Sequence, residues 1–197
     1  MMNELKGFIE LNANEQTIQG FLKSDLSILG DVYACREGEY IAFSEYPLFN
    51  GKVDFVVFTG RSKMDIYFIE IKGADFFFLN EDGTVSKKIS DAENQIRERF
   101  DSVFKNYEFF RRNAHEIRIS VEKGERLYNS TIGENGFLHC DPFKEVLYYG
   151  VVIGGRTKND LLESDKKARM QRNSNPMIFY ESWDSFLNKI EPRVRKS

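Results

Sequence analysis

Cysteine is scarce in this chain: Cys35 and Cys140 are the two thiols in 197 residues. They form no C-x-x-C pair, and two thiols do not make a disulfide framework. There are two histidines, and the spacing of His115 and His139 suits no metal site. No apolar run reaches the ~18 residues of a membrane span. The start, MMNELKGFIELNANEQ, lacks the apolar centre of a signal peptide. A soluble, cytoplasmic protein with no membrane partner is expected. Excess positive charge is also missing. A net charge of −3 argues against a wholly basic nucleic-acid coat protein. It leaves open an enzyme acting on nucleic acid, because bound cations and local basic patches offset phosphate repulsion. IGGRTK lacks the spacing of a P-loop, and there are no repeats, low-complexity segments or linkers.

Phenylalanine is plentiful, with 18 residues, which points to an aromatic-rich core. The length suits a single domain over residues 1–197, with room for an insertion at about 113–143. A first helix is expected from Asn12 or Asn14, either of which can cap, with Asn12 and Glu15 at capping-pair spacing. Ile18, Phe21, Leu22 and Leu29 form its apolar face, and Gly30 is its expected stop. EYIAFSEYPLF reads as a loose aromatic strand ending at the turn FNGK. VDFVVF and MDIYFIEI, joined by TGRSK, read as an antiparallel hairpin. Ser90-Asp91-Ala92-Glu93 has the form of a capping box. The helix it opens should run to about Arg112, on a stripe of Ala92, Ile96, Phe100, Val103, Phe104, Tyr107 and Phe110. Asn113 to Phe143 is mixed and resists assignment. EVLYYGVVIG is a buried strand, DLLESDKKARMQ a short helix, MIFY a last strand, and SWDSFLNKI a closing helix capped by Ser182. The order α-β-β-β-α-β, then α-β-α, predicts an α/β domain with a mixed central sheet and flanking helices.

Within the hairpin, GKVDFVVFTGRSKMDIYFIEIKG (residues 51–73) sets Asp54, Glu70 and Lys72 among residues that want burial. An ionised carboxylate in a half-buried strand is destabilising unless it is paired or binds a metal. Residues i and i+2 of a strand share a face, so Glu70 and Lys72 project together and Ile69 and Ile71 oppose them. Asp54, on the partner strand, can sit across from them. Two carboxylates then supply hard oxygen ligands suited to Mg2+ or Mn2+. A lysine beside them can orient or help deprotonate a water and stabilise charge on a phosphate. The same three side chains can equally make a plain salt bridge at a solvent edge.

The αβββαβ order with Asp54 and then Glu70-Ile71-Lys72 resembles the PD-(D/E)xK restriction-endonuclease-like core. Within that superfamily the chain looks most like the nuclease domain of Shedu-type anti-phage defence proteins. The resemblance runs from NEQTIQGFLKSDLSIL through GKVDFVVF, FIEIKGA and DAENQI to YYGVVIGGR and IFYESWDSFL. Val53 stands where the motif's name has proline. The resemblance implies a Mg2+- or Mn2+-dependent DNA endonuclease in anti-phage or foreign-DNA defence. Asp54, Glu70 and the Ile71 carbonyl would be metal ligands, and Lys72 the catalytic lysine. Glu15 would be a further ligand from the first helix, with helix capping as its alternative. Gln95 would stand near the metal, with a solvent-facing helix position as its alternative. Lys87 and Lys88, before the second helix, and Arg156, after the buried strand, are candidates for meeting DNA backbone. Solvated loops are the plainer explanation of these cations. Self-association and a sensing partner are also expected. The alternatives are a catalytically inactive nucleic-acid-binding or assembly module, or an RNA nuclease.

Overall fold

A computed structural model describes residues 2–49 and 51–194. Its elements in order are α1 (Met2–Glu10), α2 (Glu15–Ser24), α3 (Ser27–Tyr33), β1 (Ile41–Leu48), β2 (Gly51–Thr59) and β3 (Met64–Ile71). There follow α4 (Lys87–Lys105), α5 (Tyr107–Glu122), β4 (Thr131–Ile132), β5 (Val146–Ile153), α6 (Asp160–Arg172), β6 (Ile178–Glu181) and α7 (Trp183–Val194). The strands are hydrogen-bonded in the order β4-β1-β2-β3-β5-β6. β1 is antiparallel to β2 and β4, β2 to β3, and β5 is parallel to β6, so the sheet is mixed. The α/β class with flanking helices is as the sequence predicts. The turn expected at FNGK includes Asn50, which lies outside the described residues. No helix among the described residues is long and apolar enough to cross a membrane.

The chain divides into two compact units: unit one is Met1–Ser24, Glu70–Ile96 and Gly150–Ser197, and unit two is Asp25–Ile69 and Arg97–Tyr149. Unit two is built on the β1–β2–β3 meander. Its β2–β3 register pairs Phe55 with Ile69 and Thr59 with Asp65, the hairpin expected from the two apolar runs. Val53 and Phe55 to Thr59 are all buried, so β2 is covered on both faces. That is why its sequence reads as a nearly continuous apolar run. Phe43 meets Phe58 edge-on at 4.8 Å between ring centres. Phe68 lies 6.3 Å from Phe100 and 6.0 Å from Phe110. Burying one such ring contributes about 1.5–3 kcal/mol. Residues 113–143 complete α5 and supply β4, which pairs with β1. The buried Arg118 donates to Glu122 and to the Leu138 carbonyl there.

In unit one, β5 and β6 pair from Gly150↔Ile178 to Ile153↔Glu181. Parallel neighbours need a crossover, and α6 supplies it. Asn159 caps α6 by accepting from the Leu162 N–H, and Ser182 accepts from the Ser185 N–H at the start of α7. α7 buries Trp183 and Phe186 completely.

Several helix limits differ from expectation. The nine-residue α1 was not expected, though Leu5 and Ile9, both fully buried, have helical spacing. The helix expected to reach Leu29 ends at Ser24, because the Asp25 carboxylate accepts from the Ser27 N–H and starts α3. Gly30 lies inside α3 rather than stopping a helix: a Cβ there would fall 2.1 Å from the Tyr40 ring. α4 begins before Ser90, whose N–H, with that of Ile89, donates to the Ser86 carbonyl. Ser90 is therefore inside the helix and not its cap. The long helix also breaks at Asn106, which has φ −132° and ψ 34°. Phe104, still inside α4, is 80% exposed, whereas Val103 and Phe110 are buried.

Candidate functional site

Unit one holds the candidate residues other than Asp54, and Glu15, Glu70, Ile71 and Lys72 lie at the end of β3. Glu70 is buried, at 3% exposure, and Ile71 is fully buried. The Lys72 side chain is 14% exposed. Its backbone is fixed from two sides. The N–H donates to the Ile153 carbonyl at 2.7 Å, and the carbonyl accepts from the Trp183 indole Nε1 at 2.8 Å. The next residues are held as firmly: the Gly73 carbonyl accepts from the Gly155 N–H at 2.9 Å, and the Ala74 N–H donates to Ala13 at 2.8 Å. β5 ends in Gly154, where a Cβ would stand 2.7 Å from the Lys72 Cβ. Only glycine allows that approach.

The Lys72 amine lies 3.4 Å from the Glu15 carboxylate in the first turn of α2. Glu15 also accepts from Gln19 Nε2 at 3.3 Å. The cap of α2 is Asn14, which accepts from the Thr17 N–H at 2.9 Å. Asn12, at φ 51°, instead accepts from Arg156. With Asn14 as the cap, the Glu15 carboxylate is turned to Lys72.

Arg156 is engaged within the fold. Its Nε and Nη2 grip the Asp184 carboxylate at 2.9–3.2 Å, and Nη1 donates to the Ile9 carbonyl at 2.7 Å. Burial acts to raise the Asp184 pKa, but the Arg156 bonds and charge, with the Thr157 N–H, hold it below the ordinary carboxylate value. The acid next to Trp183 thus stays ionised and ties the start of α7 to the segment after β5. Lys87 and Lys88 lie in the first turn of α4, not before it. Lys88 pairs with Asp75 at 2.9 Å and stands 4.7 Å over the Phe76 ring. Gln95 is exposed on α4. Asp54 belongs to unit two, as the half-buried residue of β2 between the fully buried Val53 and Phe55.

Among the described residues no three His, Cys, Asp or Glu side chains gather as a group able to hold a metal. A closed cage of protein ligands is therefore not built. Mg2+ does not need one, since it keeps several waters and takes one or two carboxylates plus substrate phosphate. The buried Glu70 carboxylate and the main-chain carbonyl at the β3 end are oxygen donors of the right kind, so the donor set fits a hard divalent cation. Trp183, which reaches Lys72 across 111 positions of chain, carries no local signal of this contact.

Residues 12–187 match the family model described as Shedu protein SduA, C-terminal. No curated protein and no solved structure matches the chain. The match spans most of the chain, which therefore belongs to the Shedu family, and the family associates it with anti-phage defence.

Proposed function

For this member of the Shedu family we propose a PD-(D/E)xK-type nuclease that hydrolyses phosphodiester bonds of invading DNA with Mg2+ or Mn2+. The observation that carries the reading is Lys72. A mostly buried ammonium is costly unless it has a task or a partner. This one is fixed through its backbone on both sides and faced by the α2 carboxylate of Glu15. A lysine so placed can donate to a phosphate oxygen as charge develops there, or take a proton from attacking water. Glu70 and the Ile71 carbonyl would hold the cation, and the family resemblance adds Asp54 as a ligand. When bound, the cation would supply Lewis-acid polarisation of the phosphate. Glu15 orients the Lys72 amine, and Gln95 would stand near the metal. Lys87 and Lys88 are proposed to meet the DNA backbone, and Arg156 is proposed to act through Asp184 rather than on DNA. Self-association and a sensing partner belong to the same proposal.

Incubation of the protein with linear, circular and single-stranded DNA and with RNA, in Mg2+, Mn2+ or EDTA, tests this reading. Cleavage should require the cation, and Lys72→Ala should lower it by about 100-fold or more. Cleavage in EDTA, or equal cutting by Lys72→Ala, sinks the mechanism. Cleavage of RNA alone selects the RNA nuclease. Binding without cleavage selects the inactive module, a reading favoured by the lack of a three-ligand cluster among the described residues.

A further inference from the structure

The segment after Lys72 carries three consecutive phenylalanines, and each ring has a lysine beside it. Lys88 Nζ is 4.7 Å from the centre of Phe76, Lys158 is 5.6 Å from Phe77, and Lys167 is 4.7 Å from Phe78. The segment is anchored to the chain after β5 by two backbone bonds. The Phe78 N–H donates to the Arg156 carbonyl at 2.9 Å, and the Arg156 N–H donates to Phe76 at 2.7 Å. Phe78 goes into the core, fully buried, and Phe77 goes outward, 49% exposed. Phe77 thus shows its ring from a well-anchored backbone.

Next to that ring is a cavity of about 240 Å³, walled by Phe76, Phe77, Leu79, Asn80, Ser86 and Lys158. Ser86 is only 6% exposed, and its hydroxyl has no hydrogen-bond partner. Buried hydroxyls nearly always have one. An aromatic face, a cation beside it, an amide and an unsatisfied hydroxyl meet in one small space. Glu81 also borders the cavity and lies 3.6 Å from Lys158, but its side chain is 95% exposed. An ion pair that open to water is weak and is readily exchanged for a phosphate.

We propose that this cavity takes one unpaired nucleotide of the nucleic acid. The base stacks on Phe77, its polar edge reaches Asn80 and the Ser86 hydroxyl, and Lys158 meets the adjoining phosphate. Stacking on an aromatic side chain accepts any base, because every base has a π face, and the lysine adds a cation for the backbone charge. Paired bases cannot enter, so the pocket favours single-stranded or locally opened substrate. The proposal rests on the nuclease reading for its substrate class.

Its test uses binding rather than cleavage. A labelled single strand of about twelve nucleotides and a blunt duplex of the same length are titrated with the protein in EDTA, read by fluorescence anisotropy. Phe77→Leu, which keeps an apolar side chain, should weaken single-strand binding about tenfold and leave duplex binding unchanged. Phe77→Trp should restore it. A 2-aminopurine in the strand should be quenched by the parent and not by Phe77→Leu. Equal single-strand affinity in the parent and Phe77→Leu overturns the pocket, as does an equal loss on strand and duplex, or no binding by the parent. Phe77-dependent binding in a protein that never cuts keeps the pocket and removes the nuclease. Cation-dependent cutting with Phe77-independent binding does the reverse.

Discussion

The two units fix their most consequential residues by different means. In unit two, Phe58 is fully buried and meets Phe43 at 4.8 Å and Tyr46 at 5.8 Å, one of a set of rings that fill the space around the β1–β3 meander. Contacts of this kind are individually weak and collectively large. In unit one, Lys72 is held by directional bonds: Ile153 to its N–H, Trp183 to its carbonyl, Glu15 to its amine. Loss of one such bond re-aims a single side chain, whereas loss of a ring loosens many neighbours at once. The contrast implies that stability and chemistry can be damaged separately in this molecule.

The harshest trial of that separation is Phe58→Ala. Deleting a fully buried ring should lower unfolding free energy by about 3–5 kcal/mol, measured as a drop in the urea midpoint. Cleavage per folded molecule, assayed well below the melting temperature, should stay at the parent level. If it falls along with stability, the two units do not divide the work in this way.

A pH-dependent cost sits in unit two as well. His115 is buried at 4% exposure, and neither ring nitrogen has a hydrogen-bond partner. Burial, then the charges of Arg118 and Arg111, push its pKa down to about 4, with Asp141 opposing. The folded value is thus below the unfolded one of about 6.5. The stability it contributes is complete above about pH 6.5 and is lost as the pH falls toward about 4, because the unfolded chain takes up the proton first. His115→Leu should remove this dependence, narrowing the loss between pH 7 and pH 4.5 by at most about 3 kcal/mol. Parallel curves for parent and variant would show that His115 titrates alike in both states.

Local pattern made much of this legible. The hairpin that carries Asp54 and Glu70 announced itself by two apolar runs around TGRSK, and Ser182 read correctly as the cap of α7. The break at Asn106 was hidden, because Phe110 and Ala114 continue the buried stripe into α5 and leave the periodicity nearly intact. Asn12 and Asn14 are equally good caps on paper, and contact with Arg156 decides between them. Arg156 looked free to meet substrate, since nothing near it in sequence shows that Asp184, 28 positions on, takes its guanidinium. The anchoring of Lys72 was invisible for the same reason. It depends on partners brought near only by folding, and no spacing rule encodes them.

That anchoring gives the finest trial of the contrast. The Trp183 indole is fully buried, packs edge-on against Phe186 at 5.6 Å between ring centres, and donates to the Lys72 carbonyl at 2.8 Å. Trp183→Phe keeps an aromatic ring in α7 but removes the donor, leaving the carbonyl short of one bond and a small void behind it. The stability cost should be about 2 kcal/mol, the sum of an unsatisfied carbonyl and a modest cavity, less than Phe58→Ala. The effect on chemistry should run the other way. A catalytic group displaced by a fraction of an ångström loses much of its advantage, so kcat for cleavage should fall about tenfold. DNA affinity should hold, because the α4 lysines proposed to meet the DNA backbone are untouched. A purely structural tryptophan would lower the melting temperature and leave kcat per folded molecule where it was. Single-turnover rates and affinities for parent, Trp183→Phe and Phe58→Ala at one temperature, with each variant confirmed folded, decide the matter. If Trp183→Phe cuts as fast as the parent, the bond to Lys72 serves the fold alone.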